Sequence, residues 1–133
     1  MHLYHALNFA YTGDDGAPSR AVRGGNKDKC GYQVYFPTSS PYVTAVGGTQ
    51  GPELTKEGVF DGSEITCSSV TKAAITSGGA FSNYYMRANT ASFQSTAVDN
   101  YLKNVAGTNR APVAGFNTGG RGYPDLGISL SYP

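Results

Sequence analysis

The stretch that most constrains this chain is Ala6-Leu7-Asn8-Phe9-Ala10-Tyr11-Thr12-Gly13-Asp14-Asp15-Gly16. An apolar-rich run stops abruptly at two glycines flanking two carboxylates. Leu7, Phe9, Ala10 and Tyr11 leave little room for a wet face, so the run reads as a buried strand. Gly-Asp-Asp-Gly reads as the sharp turn that ends it. In open α/β sheets, chemistry gathers just past the carboxyl ends of strands. Asp14 and Asp15 stand at such a place, although Asp-Gly is also ordinary turn chemistry.

A second apolar, β-rich run, Tyr42-Val43-Thr44-Ala45-Val46, ends at Gly47-Gly48. It reads as a buried strand parallel to the first. Ser92 to Val105 carries the one clear helix. Val98, Tyr101, Leu102 and Val105 form one apolar stripe, Ser92 can cap it, and Gly107 stops it. Glu64 to Cys67 reads as a short strand, and Tyr123 to Leu130 resumes strand character. Ser77-Gly78-Gly79 is a glycine turn or a substrate-facing bend; the lysine and spacing of a phosphate-binding loop are absent. The fold class expected is α/β, a parallel sheet in a single unit spanning 1–133.

Composition narrows the function classes. Net charge is +1 and charged residues are 14%. No basic field invites nucleic acid, and no acidic run invites a basic partner. No apolar run approaches the ~18 residues of a membrane helix. Met1-His2-Leu3-Tyr4-His5 lacks the basic start and apolar centre of a secretory leader. Eighteen Gly and seven Pro, together above the usual ~12%, make a chain rich in turns. Cys30 and Cys67 allow one pairing. A bridge is the expectation in an oxidising compartment, with two free thiols as the alternative. Two Cys and the distant His2 and His5 fit no zinc pattern.

Four segments in order carry a family signature. They are Tyr11-Thr12-Gly13-Asp14-Asp15-Gly16-Ala17-Pro18, Phe36-Pro37-Thr38-Ser39-Ser40-Pro41-Tyr42-Val43-Thr44-Ala45-Val46-Gly47-Gly48-Thr49, Ser77-Gly78-Gly79-Ala80-Phe81-Ser82 and Arg121-Gly122-Tyr123-Pro124-Asp125. Together they resemble the sedolisins, the serine-carboxyl peptidases that include the tripeptidyl peptidases. The resemblance runs from about Phe9 to about Ile128 and implies a subtilisin-like parallel sheet, here truncated at both ends.

It also implies a mechanism. A Ser attacks, a Glu oriented by an Asp acts as base, and a further Asp completes the oxyanion hole. That last Asp maps onto Asp14, with Thr12 and Gly13 beside it in the substrate channel, and with Ser77, Gly78 and Gly79 as further substrate-facing positions. A protonated carboxyl donates a hydrogen bond to an oxyanion, whereas an ionised one repels it, so such a site works in acid. Asp15 reads as a spacer and Asp125 as a satisfied structural carboxylate. The family's nucleophile sits in a Gly-Thr-Ser turn. Here Gly48-Thr49 is followed by Gln50, and Gly107-Thr108 by Asn109. The triad Glu and Asp and the family's calcium site also map outside these residues. The expectation is therefore the central part of an acid peptidase domain of secreted, lysosomal or vacuolar type, without cofactor and inactive alone. Its partners in the full-length family are peptides and proteins. The alternative is a non-catalytic homologue that at most binds peptides. With one helix to cover a parallel sheet, one sheet face is expected to be bare and the chain to be weakly stable or self-associating.

Overall fold

The computed structural model describes residues 8–20, 25, 31–51, 64–90 and 92–130. The elements are β1 (Phe9–Tyr11), β2 (Thr44–Gln50), β3 (Ile65–Thr66), β4 (Ala80–Met86), α1 (Ser92–Val105), β5 (Gly120–Tyr123) and β6 (Leu126–Ser129).

β2 is the rail of the main sheet. Val46 O accepts from Thr12 N at 3.0 Å and Gly48 O accepts from Cys67 N at 3.0 Å, which places β1 and β3 in succession along one edge. Ala45 O accepts from Asp125 N at 2.8 Å and Thr49 O from Leu130 N at 2.9 Å, which places β6 along the other. β1 and β6 run parallel to β2, and β3 runs antiparallel. The expected parallel pairing of the first two strands is therefore present, within a mixed sheet and beside a helix.

Three expectations need correction. The first strand is not buried: Phe9 and Tyr11 are 65% and 78% exposed. Alternation sends both rings to the same face of the sheet, and no described element covers them. The second strand does not stop at Gly47-Gly48 but continues to Gln50. A Cβ at Gly47 would lie 2.9 Å from both Ser77 Oγ and Pro124 Cγ. The glycine therefore marks close packing inside a strand rather than its end. Tyr123 to Leu130 is two strands: β5 pairs antiparallel with β4 in a separate sheet, and β6 returns to β2. Pro124, which has no N–H to donate, separates them.

β4 has no counterpart in the sequence reading, because the glycines before it dominate the local signal. Its ladder with β5 is irregular between Phe81 and Met86. The fully buried Ser82 hydroxyl accepts from Tyr84 N and Tyr85 N at 3.1 and 3.0 Å and supports that irregularity. α1 matches its predicted span, although Ser92 is its first helical residue rather than its cap. Val98, Leu102 and Val105 are half-buried, whereas Tyr101 is exposed. Val98 packs over Gly122, where a Cβ would come within 3.0 Å of it. Arg87, following β4, pairs with Asp99 on the helix at 3.0 Å.

In a parallel ladder, residues in register share a face. Tyr11, Val46 and Leu126 are in register, and so are Phe9 with Thr44 and Gly48 with Ile128. The opposite face carries Ala10, Ala45, Gly47 and Gly127. The main cluster among the described residues includes Ala45 of that second face, with Ala80 and Tyr123, and Val34 packs against it. On the first face Leu126 and Ile128 are 42% and 52% exposed beside the two aromatic rings, whereas Gly48 is packed by Leu130 and Ile75 and Gln50 is buried against Thr71. The proposed Cys30–Cys67 bridge involves Cys30, which lies outside the described residues, as do His2 and His5. Cys67 itself is buried.

Candidate active site

The Asp14 turn is fixed along its backbone from two sides. Before it, Thr12 N is held by Val46 O of β2. Beside it runs 76–78: Thr76 N donates to Asp14 O at 2.9 Å, Gly16 N to Thr76 O at 2.9 Å, and Gly78 N to Gly13 O at 2.9 Å. The approach is so close that a Cβ at Gly78 would lie 1.8 Å from Thr12 O. Gly13 and Gly16 take φ of 87° and 67°, a region that costs glycine nothing. These two glycines let the chain reverse on either side of the carboxylate pair.

Thr12 is buried, Asp15 half-buried and Asp14 exposed. Alternation through the turn thus makes the two carboxylates unequal. Asp14 reaches out at the carboxyl end of β1, into a cavity of about 240 Å³ lined by Tyr11, Thr12, Asp14, Asp15, Arg20 and Tyr35 among others. Sequence reading missed Arg20 and Tyr35. Arg20 lies just beyond the turn, but nothing local marks Tyr35. It arrives through a distant contact, the Tyr123 hydroxyl accepting from Tyr35 N at 3.0 Å. Burial of Tyr123 raises its pKa above the ordinary 10.0 against the opposing pull of its hydrogen bonds to Tyr35 and Thr38 and of the Arg121 charge.

Of the further predicted positions, Ser77 and Gly78 stand behind the turn rather than in the cavity. Ser77 Oγ accepts from Gly48 N at 2.9 Å, filling the gap between β1 and β3 on the β2 edge. Gly79 faces the other way. It lines, with Phe81, Phe93, Tyr101 and Pro124, an apolar groove of about 670 Å³ under α1.

Asp125 is saturated with partners. Its Oδ2 accepts from Ala45 N at 2.7 Å and from Arg121 Nη2 at 2.5 Å, and its Oδ1 accepts from Gln94 Nε2. Arg121, 1% exposed, also donates to Val43 O and Gly122 O at 3.2 Å each. With Asp125 N on Ala45 O, the residue pairs with both backbone groups of Ala45 and starts the β6 ladder with its side chain. A carboxylate so engaged is structural. Among the described residues no group of three His, Cys, Asp or Glu side chains stands close enough together to hold a metal ion.

Over this geometry the chain aligns with known peptidases. It is 34% identical over 131 residues to physarolisin of Physarum polycephalum, covering 88% of this chain. The chain is a sedolisin homologue. Mouse tripeptidyl-peptidase 1 is 37% identical over 117 residues, 86% of the chain, and tripeptidyl-peptidase sed4 of Aspergillus fumigatus is 35% identical over 119 residues, also 86%. The chain spans 22%, 17% and 16% of the length of these three relatives. No family model matches it. No described helix is long and apolar enough to cross a membrane.

Proposed function

We propose that the Thr12–Gly16 turn is the oxyanion-stabilising segment of a serine-carboxyl peptidase with a subtilisin-like catalytic domain, acting on peptides in an acidic compartment that is secreted, lysosomal or vacuolar. The observation that carries this reading is the placement of Asp14. Its backbone is pinned to two neighbouring segments, it stands past the carboxyl end of a parallel strand, and its exposed side chain borders a cavity. In such a site the tetrahedral intermediate develops charge on the former carbonyl oxygen. A protonated Asp14 donates a hydrogen bond to that oxygen, and its fixed backbone means no reorganisation is needed at the moment of attack. Arg20 and Tyr35, on the same cavity wall, supply polar contacts to the peptide.

The attacking hydroxyl and its base come from outside these residues. The 133 residues alone therefore hold charge-stabilising machinery without a nucleophile. The purified chain is expected neither to hydrolyse an unfolded protein in acid nor to be labelled by a serine-directed fluorophosphonate. Grafting 8–130 in place of the matching segment of physarolisin tests the role of Asp14 directly. In an active chimera, Asp14→Ala lowers kcat by about 10²–10³ with KM little changed, the loss typical of one oxyanion donor. An active chimera indifferent to Asp14→Ala refutes the assignment.

A further inference from the structure

We propose that Ser77 is a positioning residue for Asp14: its hydroxyl takes the rung of the β2 ladder that β1 gives up, and so fixes where the chain leaves the sheet and where Asp14 stands. The proposal rests on the oxyanion reading of Asp14 and adds what holds that carboxyl in place. Parallel strands are joined by evenly spaced bonds. Along β1 and β2, Thr44 N donates to Asn8 O at 2.8 Å and Thr12 N donates to Val46 O at 3.0 Å. The next rung of that ladder would run from Gly48 N to Thr12 O. The register ends before it, at Tyr11 and Val46. Gly48 N donates instead to Ser77 Oγ at 2.9 Å, and Thr12 O lies against Gly78, where a Cβ would meet it at 1.8 Å.

A side chain standing in for a strand releases the Asp14 turn from β2 and hands it to the 76–78 segment. Ser77 is anchored to the sheet by its hydroxyl on Gly48 and by its own N–H, which donates to Cys67 O at 3.0 Å. Its neighbours in the chain hold the turn. Thr76 N donates to Asp14 O, Gly16 N to Thr76 O and Gly78 N to Gly13 O, each at 2.9 Å. Sheet and turn are thus joined through Ser77. Without its oxygen, the buried Gly48 is left with an unpaired N–H. Such a donor is costly to leave unmet, and the carbonyl that the ladder offers it is Thr12 O. That bond would extend β1 by one rung and draw Asp14 toward β2. A misplacement of about 1 Å at a group that must meet a transition state costs about a hundredfold in rate.

Backbone hydrogen exchange on the 133-residue chain tests the positioning without any catalysis. Ser77→Ala is expected to speed exchange at Gly16, Thr76 and Gly78 at least about tenfold, while the amides of the β4–β5 ladder keep their wild-type rates. Ser77→Cys, of similar shape but with a weaker acceptor, is expected to fall between the two under reductant, and it carries the comparison if Ser77→Ala does not fold. In the active physarolisin chimera, Ser77→Ala is expected to lower kcat by about ten- to a hundredfold with KM within about twofold of its parent. In an Asp14→Ala background the same change is expected to cost nothing further, because the donor that it places is gone. Exchange that rises equally across both sheets, or does not rise at the turn, overturns the proposal. A loss in kcat that is equal with and without Asp14 also overturns it, and leaves the Asp14 assignment standing. An active chimera indifferent to Asp14→Ala removes the oxyanion reading and with it the part of Ser77 in catalysis.

Discussion

The two faces of the main sheet are built from the same three strands and could hardly differ more. On one, Ala45 is fully buried, glycines at 47 and 127 admit neighbours at contact distance, and Asp125 and Arg121 stitch β6 to β2. On the other, large apolar residues stand in register and exposed at 9, 11, 126 and 128, while Leu130 and Ile75 pack over Gly48 at its far end. Small residues on the packed face and large ones on the bare face are the reverse of what a free-standing sheet would choose. Small residues let a neighbour close in, so their face is finished. Large residues are suited to filling space against another layer. Packing among the described residues is tightest on the Ala45 side, so substitutions on the two sides should have different consequences for folding.

The largest effect is expected at Gly78. Any Cβ there meets the Thr12 carbonyl oxygen at 1.8 Å and its carbon at 2.7 Å, both backbone atoms. Gly78→Ala must separate the 76–78 segment from the Asp14 turn and is expected to abolish cooperative unfolding, a loss beyond ~4 kcal/mol. Differential scanning calorimetry reads this directly; a transition within a few degrees of wild type would mean the two segments are not joined as described. Next comes Asp125→Ala. It strands a guanidinium that is 1% exposed and leaves Ala45 N without its acceptor. Losing one partner of a buried ion pair costs about 3–5 kcal/mol, which a marginal chain can barely survive. Replacing Arg121 and Asp125 together with apolar residues should be much milder, and urea titration of the single and double variants separates the two cases.

How much of this was legible in the sequence follows from how local each cause is. α1 was readable because its apolar stripe and stop signal lie within its own span. The Asp14 turn was readable for the same reason, and the difference between Asp14 and Asp15 followed from family resemblance before exposure separated them. The extension of β2 through Gly47-Gly48 was not readable. What permits it is Pro124 and Ser77 packing on Gly47, contacts 77 and 30 positions away. β4 was hidden because Gly78-Gly79 looks like a turn until Thr12 and Tyr123 are seen closing on it. The exposure of Phe9 and Tyr11 was the sharpest miss. A run of Leu, Phe, Ala and Tyr looks buried from sequence, but burial is decided by what lies across from it.

A moderate effect is expected at Tyr123, on the packed side. Its hydroxyl is the acceptor for Tyr35 N, and Tyr123→Phe leaves that donor unpaired, at a cost of about 1–3 kcal/mol. The phenol also carries a pH signature. Its folded pKa is raised above 10.0 chiefly by burial, so the unfolded chain ionises first. The stabilising contribution is complete below the unfolded pKa of about 10 and is lost as pH rises from there through the folded value. Wild type should therefore lose stability above about pH 10 faster than Tyr123→Phe, and the two denaturation curves should converge. Parallel curves would place the ring in contact with water.

The smallest effect on folding is expected on the bare side. Phe9→Thr removes a ring that is 65% exposed and keeps a residue well suited to strands. Measured at a concentration where the chain is monomeric, its stability should change by no more than about 0.5 kcal/mol. That near-zero value is informative because Phe9 is the sort of residue whose truncation in a core costs about 3–5 kcal/mol. A large loss in the monomer would mean that the ring is already covered within one chain, and the contrast between the two faces would collapse. A small loss would mean that the ring's apolar surface stays in water in the folded chain, as its 65% exposure implies.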